Sequence, residues 1–297
     1  MSPAAWAAIR NLRSAAIHSR GSFFMYEAYW QLDSRPFEHA PDARFQFPAE
    51  SQRGAMLKLR YVLENRRGAA LLAGESGLGK TLLAQAIVNE LPEEFGPRVH
   101  VVFPQMPSDQ LLTHLADHLT SQHSPTTATI DQSVRRIERR LRENAEQGRH
   151  AVIVLDEAHL LRDTKALETI RLLMNFQQDG QQLATFLLVG QTSLVLAVRR
   201  LPALDERVAV TCLLARLNAE ETNRYIRHRL ETAGTKRTIF EPSALEAIFQ
   251  LTHGIPRRIN RLCDLALLVG YGEELPSLSG SHLESIHEEL IGAAAAA

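Results

Sequence analysis

The chain has 297 residues, 45% hydrophobic and 23% charged, which excludes a disordered polymer and leaves room for one large or two modest domains. Lysine plus arginine (33) nearly balances aspartate plus glutamate (34), so no global field draws the protein to nucleic acid or to a membrane surface. No apolar run approaches the roughly 20 residues that span a bilayer, and Cys212 and Cys263, far apart in apolar surroundings, suit buried thiols in a reducing compartment, so a cytoplasmic address is expected.

Residues 1–24 carry Arg10, Arg13 and Arg20 and no acid, a weak imitation of a transit peptide. They are set aside as an extension expected to be disordered, with Met25 an alternative start to Met1. An aromatic-rich arm, 25–48, follows. Short runs of Val, Leu and Ile then recur at 69–74 (AALLAG), 98–103 (RVHVVF), 151–156 (AVIVLD), 184–190 (ATFLLVG) and 208–214 (VAVTCLL). They are continuous rather than alternating, as in strands covered on both faces, and helical patterns lie between them. The expectation is an α/β domain over 49–215, three layers deep, on a mostly parallel five-stranded sheet.

Within it, TLLAQAIVNEL is predicted to be a helix stopped by Pro92. Segment 131–147 is predicted to be another, with Asp131 as cap and Val134, Ile137 and Leu141 on one face. Its arginines, Arg135, Arg136, Arg139, Arg140 and Arg142, are either a solvated face or a DNA-binding one. After 215 the strand patterns stop. Four helical segments fill 216–292: NAEETNRYIRHRLETAG closed by Gly234, EPSALEAIFQLTHG opened at Pro242, PRRINRLCDLALLVGYG, and SGSHLESIHEELIG. Residues 293–297 read as a frayed tail.

The chemistry concentrates in GESGLGKT, which places Gly74, Gly79, Lys80 and Thr81 in the G-x-x-x-x-G-K-[ST] pattern between a predicted strand and a predicted helix. Backbone amides at a helix N-terminus hold a triphosphate best when no bulky side chain keeps them away, so Gly74, Glu75, Ser76, Gly77, Leu78, Gly79, Lys80, Thr81 and Leu82 form the expected ATP cradle. Lys80 is expected on the β- and γ-phosphates and the Thr81 hydroxyl on Mg²⁺. VIVLDEAHLL then carries a strand to its carboxyl end, where open α/β sheets bind ligands. There Asp156 is expected to hold Mg²⁺ with Thr81, and Glu157 to polarise an attacking water.

Three further residues are drawn in by position. Gln191 ends the LLVGQ strand, either beside the γ-phosphate orienting water or as a turn-capping amide. Arg207, in LDERVAV, is the candidate arginine finger for a neighbouring subunit's nucleotide, in competition with Arg199 and Arg200 and with a simple surface pairing to Asp205 or Glu206. In HGIPRRIN, Pro256 suits a helix first turn that aims Arg257 back at the core as a γ-phosphate sensor, with Arg258 facing solvent.

With these elements in order, the chain resembles an AAA+ ATPase of the ExeA/GspA type, the P-loop NTPase branch associated with secretion and pilus-like machinery. Tyr26, Tyr29, Trp30, Leu32, Pro36, Phe37, Pro41, Asp42 and Phe45 carry a similarity to that family's opening pattern, and RLNAEETNRYIRHRLETAG resembles its first lid helix. The likeness runs from about Met25 to Ile291. It implies ATP and Mg²⁺ as ligands, a helical lid, nucleotide-dependent homo-oligomerisation and a protein client of secretion or pilus type. It also places Pro36 and Phe37 either near the adenine or in a clamp that secures the arm. Secretion members continue into a membrane span and a peptidoglycan-binding region, which this sequence does not show. The related TniB/TnsC transposition ATPases keep DNA with a transposase as the alternative partner.

Overall fold

The computed structural model describes residues 26–38, 42–121, 128–161 and 164–295. The extension 1–24 and residues 296–297 of the expected tail lie outside them. The described chain divides into two compact units, one running from Glu50 to Ala215, the other combining the residues up to Ala49 with those from Arg216 onward.

In chain order, the elements begin with the short α1 (Glu27–Trp30) and α2 (Glu50–Glu64). The first unit continues with β1 (Ala69–Ala73), α3 (Lys80–Glu90), β2 (Arg98–Val101), α4 (Ser108–Thr120), α5 (Ile130–Glu146), β3 (Ala151–Leu155) and α6 (Thr164–Leu173). It closes with the two-residue strands β4 (Gln177–Gln178) and β5 (Gln181–Gln182), then β6 (Ala184–Gly190), α7 (Ser193–Arg199), α8 (Pro202–Asp205) and β7 (Val208–Leu213). The second unit adds α9 (Ala219–Thr232), α10 (Pro242–Thr252), α11 (Pro256–Gly272) and α12 (Gly280–Ala295).

All five predicted strands form one parallel sheet in the order β2-β3-β6-β1-β7. Every residue of β1, β3 and β6 is buried, as their unbroken apolar runs require. The edge strand β7 departs from this: its residues alternate in exposure and Leu213 is largely exposed, because only β1 pairs with it. The hairpin β4–β5 escapes an apolar-run reading because glutamines carry no apolar pattern. Its turn is Asp179–Gly180, both at positive φ (52° and 75°), the geometry of a tight hairpin.

Local chemistry explains the helix ends. Leu91 sits at φ −65°, ψ 144° because the ring of Pro92 forces the preceding residue out of the helical region, which ends α3 at Glu90. The cap of α5 is Thr129 rather than Asp131, since Thr129 and Gln132 complete a reciprocal capping box and move the cap two residues earlier. The expected arginine face of α5 is fully engaged. Arg135, Arg139 and Arg142 pair with Asp131, Glu143 and Glu138 one turn away, Arg136 reaches Asp117 and Thr120 on α4, and Arg140 donates to the Leu119 carbonyl.

In the second unit the arm and the four helices share one core. Trp30 is wholly buried, donates Nε1–H to the Leu267 carbonyl at 2.9 Å, and packs on Gly270 so closely that a Cβ there would lie 2.7 Å from its ring. Arg229, 8% exposed, donates to the Pro36 carbonyl and to Tyr225 Oη, with its guanidinium over the rings of Phe45, Tyr225 and Phe37. Asn218 and Glu221 form the capping box of α9, while Pro242 and Pro256 open α10 and α11. Both cysteines are buried and free. Among the described residues, no helix is long and apolar enough to cross a membrane.

Candidate functional site

The strand order decides where the chemistry gathers. β6 lies between β3 and β1, with Leu188 paired to Leu155 and Gly190 to Ala73, so the carboxyl ends of three neighbouring strands come together. From β1 comes the glycine loop, from β3 the Asp156–Glu157 pair, from β6 Gln191.

The loop curls as its glycines allow. Gly77 and Gly79 hold φ of 86° and 85°, where side-chain-bearing residues are strained, and a Cβ on Gly74 would lie 3.1 Å from the Leu214 carbonyl oxygen and 3.2 Å from Leu78. Glu75 and Ser76 are exposed, Leu78 is buried as the loop's anchor, and Leu82 is half exposed. The Leu78 carbonyl accepts from Gln52 Nε2 at 3.3 Å, a tie from α2 that no spacing rule in the sequence announces. Lys80 is 6% exposed, and its Nζ donates to the Glu75 carbonyl at 2.8 Å, so the ammonium is folded onto the loop's own backbone at the N-terminus of α3. Positive helix-end potential and this buried cation together make an anion site.

Asp156 is buried and accepts from the Glu157 amide at 2.8 Å. Burial pushes its carboxyl up, but the His100 imidazole, the Thr81 hydroxyl and that amide outweigh it and hold Asp156 below the ordinary carboxylate range. His100 Nε2 stands 3.7 Å from Asp156 Oδ2, beyond good hydrogen-bond reach. A polar residue interrupting the RVHVVF run was the signal that could have found it. The Thr81 hydroxyl and Asp156 carboxylate are hard oxygens held together, which fits Mg²⁺: that ion takes one or two protein ligands and completes its shell with water and phosphate. Among the described residues, no group of three or more His, Cys, Asp or Glu could hold a metal ion.

Glu157 sits at φ 48°, left-handed backbone that turns it away from the strand axis, and its side chain is 45% exposed. His159 Nδ1 lies 3.3 Å from its Oε2. Gln191 is exposed at the mouth of the same edge, and the carbonyl before it, of Gly190, accepts from the Gly74 amide at 3.2 Å.

A family comparison matches residues 63–198 to the AAA domain. Most of the α/β unit is an AAA domain. Over 261 residues the chain is 31% identical to "General secretion pathway protein A" of Aeromonas hydrophila, covering 87% of this chain and 46% of that protein, so the resemblance read from the arm and the lid motif holds. The chain thus spans about half the length of that curated relative. Among solved structures, the Aeropyrum pernix ORC2 protein (ADPNP–ADP complexes) superposes with TM-score 0.64 at 18% identity, over 86% of this chain and 71% of that one. Drosophila ORC bound to DNA gives 0.66 at 13% identity, over 96% and 74%. At these identities the likeness shows the fold.

Not every expected residue of the AAA domain joins the site edge. Arg207 precedes β7, whose first residue pairs with Ala69, so it stands at the amino edge of the sheet beside Gly68. At about 3.3 Å per residue that is roughly 20 Å from the loop of its own chain. Among the described residues Arg207 has no ion-pair partner, and the pairing to Asp205 or Glu206 is not formed. Arg199 and Arg200 are exposed at the end of α7. In the helical unit, Arg257 and Arg258 are both exposed in the first turn of α11. Pro36 and Phe37 are both buried, with Phe37 against Phe240 and Arg229.

Proposed function

We propose that the chain binds Mg·ATP at the loop of residues 74–82 and hydrolyses it, and that the nucleotide state governs self-association and engagement of a protein partner in secretion- or pilus-type machinery. The observation that carries this reading is the convergence, at one sheet edge, of a buried Lys80, a Thr81 hydroxyl on the Asp156 carboxylate, and a turned-out Glu157. Bound Mg²⁺ would neutralise charge on the β- and γ-phosphate oxygens.

Each protein group then has one task. Lys80 leaves the Glu75 carbonyl for a phosphate oxygen, exchanging a neutral acceptor for a charged one. Asp156, ionised through its neighbours, stays a metal ligand rather than a base. Glu157 takes the proton of the attacking water as its oxygen bonds to the γ-phosphorus and the bond from that phosphorus to the β–γ bridging oxygen breaks, with ADP as the leaving group. The Gln191 amide orients the water. Arg207, out of reach of its own site, serves the nucleotide of a second copy, and Arg257 reads the γ-phosphate from the helical unit. The secretion-type partner follows from the printed name of the Aeromonas relative.

The DNA alternative drew on the arginines of α5, and each of those is already held by a carboxylate, a hydroxyl or a carbonyl. The deciding experiment is calorimetric titration of the full chain with Mg·ATP, beside Lys80→Ala, with phosphate release measured on both. Saturable binding and turnover are expected from the parent chain and neither from Lys80→Ala. A folded parent chain that takes up no Mg·ATP overturns the reading.

A further inference from the structure

Beside the water-activating carboxylate lies a histidine that the mechanism above does not use. His159 is on the short 3-10 turn Ala158–Leu160, directly after Glu157, and its side chain is only 10% exposed. Its Nδ1 is buried, makes no hydrogen bond among the described residues, and stands 3.3 Å from Glu157 Oε2. A buried imidazole nitrogen turned towards a carboxylate without completing the bond is costly unless the bond is closed at some stage.

The same edge of the ring is closely bounded by β6. A Cβ on Gly190 would lie 3.0 Å from the His159 amide nitrogen and 3.3 Å from Nδ1, so the last residue of β6 has no side chain where the imidazole lies against it. The next residue is Gln191. His159, two residues after the base, thus lies against the end of the strand that leads into the water-orienting amide.

We propose that His159 is a positioning residue for water activation: Nδ1–H holds Oε2 of Glu157 and leaves Oε1 turned to the attacking water. Glu157 is nearly half exposed and its left-handed backbone points it outward, so without a tether its carboxylate samples several rotamers, of which few face the γ-phosphate. A small rotation of Glu157 shortens the 3.3 Å contact into a full hydrogen bond, and apo-type geometries of this length commonly tighten when the reacting complex forms. The inference rests on the assignment of Glu157 as base.

The test compares ATP turnover and Mg·ATP affinity of the full-length parent chain with His159→Ala, His159→Asn and His159→Gln, and with His159→Ala combined with Glu157→Gln. His159→Ala is expected to lower kcat about 10- to 100-fold, the scale of a misplaced reacting group, with nucleotide affinity unchanged within about twofold. His159→Asn puts an amide donor where Nδ1 stands and should recover most of the loss, whereas His159→Gln, which reaches to the Nε2 position, should not. The double variant should be no slower than Glu157→Gln alone, since His159 acts only through that carboxylate. Unchanged kcat in His159→Ala, no recovery in His159→Asn, or a further loss in the double variant overturns the proposal while leaving the base in place. Full turnover in Glu157→Gln removes the base assignment and His159's role with it.

Discussion

Leu217 donates its amide to the Gly254 carbonyl at 2.9 Å, and the two backbones run so close that a Cβ on residue 254 would stand 1.8 Å from the Leu217 carbonyl oxygen. Gly254 also sits at φ 69°, immediately before the entry to α11. The entry to α9 and the entry to α11 are therefore joined through a residue that must lack a side chain.

Gly254→Ala should accordingly lower the stability of the helical unit by about 2–4 kcal/mol, through left-handed strain and a backbone collision that no rotamer relieves. Gly148→Ala is the control: its φ is 73° but nothing lies within 4 Å of the new Cβ, so about 1 kcal/mol is expected. Urea denaturation of both variants makes the comparison, and equal losses would show that the contact with Leu217 does not matter.

Glu157→Gln should keep Mg·ATP affinity within a fewfold and lose at least about 10² in kcat, because an amide occupies the same volume and cannot accept the water proton. Equilibrium binding and steady-state hydrolysis on one preparation read both. Hydrolysis at the parent rate would move the base elsewhere.

The placement of Arg207 at the amino edge of the sheet makes a prediction about mixtures. Arg207→Ala alone should lower kcat about 10³-fold, the range of an arginine finger. Adding Lys80→Ala subunits, inactive themselves, should restore part of the activity, since each supplies the arginine that its neighbour lacks. A mixture that stays inactive at every ratio would mean that Arg207 does not act across an interface.

His150 predicts an acid limit. It is buried, its Nε2 pairs with Thr185 Oγ1 at 2.8 Å, and the Thr185 hydroxyl donates to the Arg67 carbonyl at 2.6 Å, tying the amino ends of β3, β6 and β1. Burial and, after it, the charge of Arg66 push the imidazole from 6.5 down to about 4. The unfolded chain binds the proton first, so stability is flat above pH 7, falls as pH drops from about 6.5 to about 4, and flattens below. The loss from this group is about 3 kcal/mol. Denaturation midpoints measured across that window should slope less in His150→Gln; parallel curves would assign the acid limit to other groups.

The sheet and the phosphate loop were legible because their signals are local. Five apolar runs, a glycine pattern that no side chain may crowd, and an acidic pair at a strand's end each follow from a few adjacent residues, as does the stop that Pro92 imposes on α3. Where a competing local signal was stronger, the reading moved by two residues, as with Thr129 in place of Asp131 at the head of α5.

Whatever depends on partners distant in the chain stayed hidden. Arg136 reads as a member of a basic cluster until α4 brings Asp117 within 3.0 Å. Phe37 finds its packing partners, Arg229 and Phe240, about 200 positions later. His159 beside a side-chain-free Gly190 exists only because β6 lies next to β3 in the sheet. A sequence by itself determines which groups can bend, pair or carry charge, since those properties belong to each residue and its near neighbours. Which of them meet is decided by strand order and helix packing, because close contact between remote residues is created only when burying apolar surface brings their elements together.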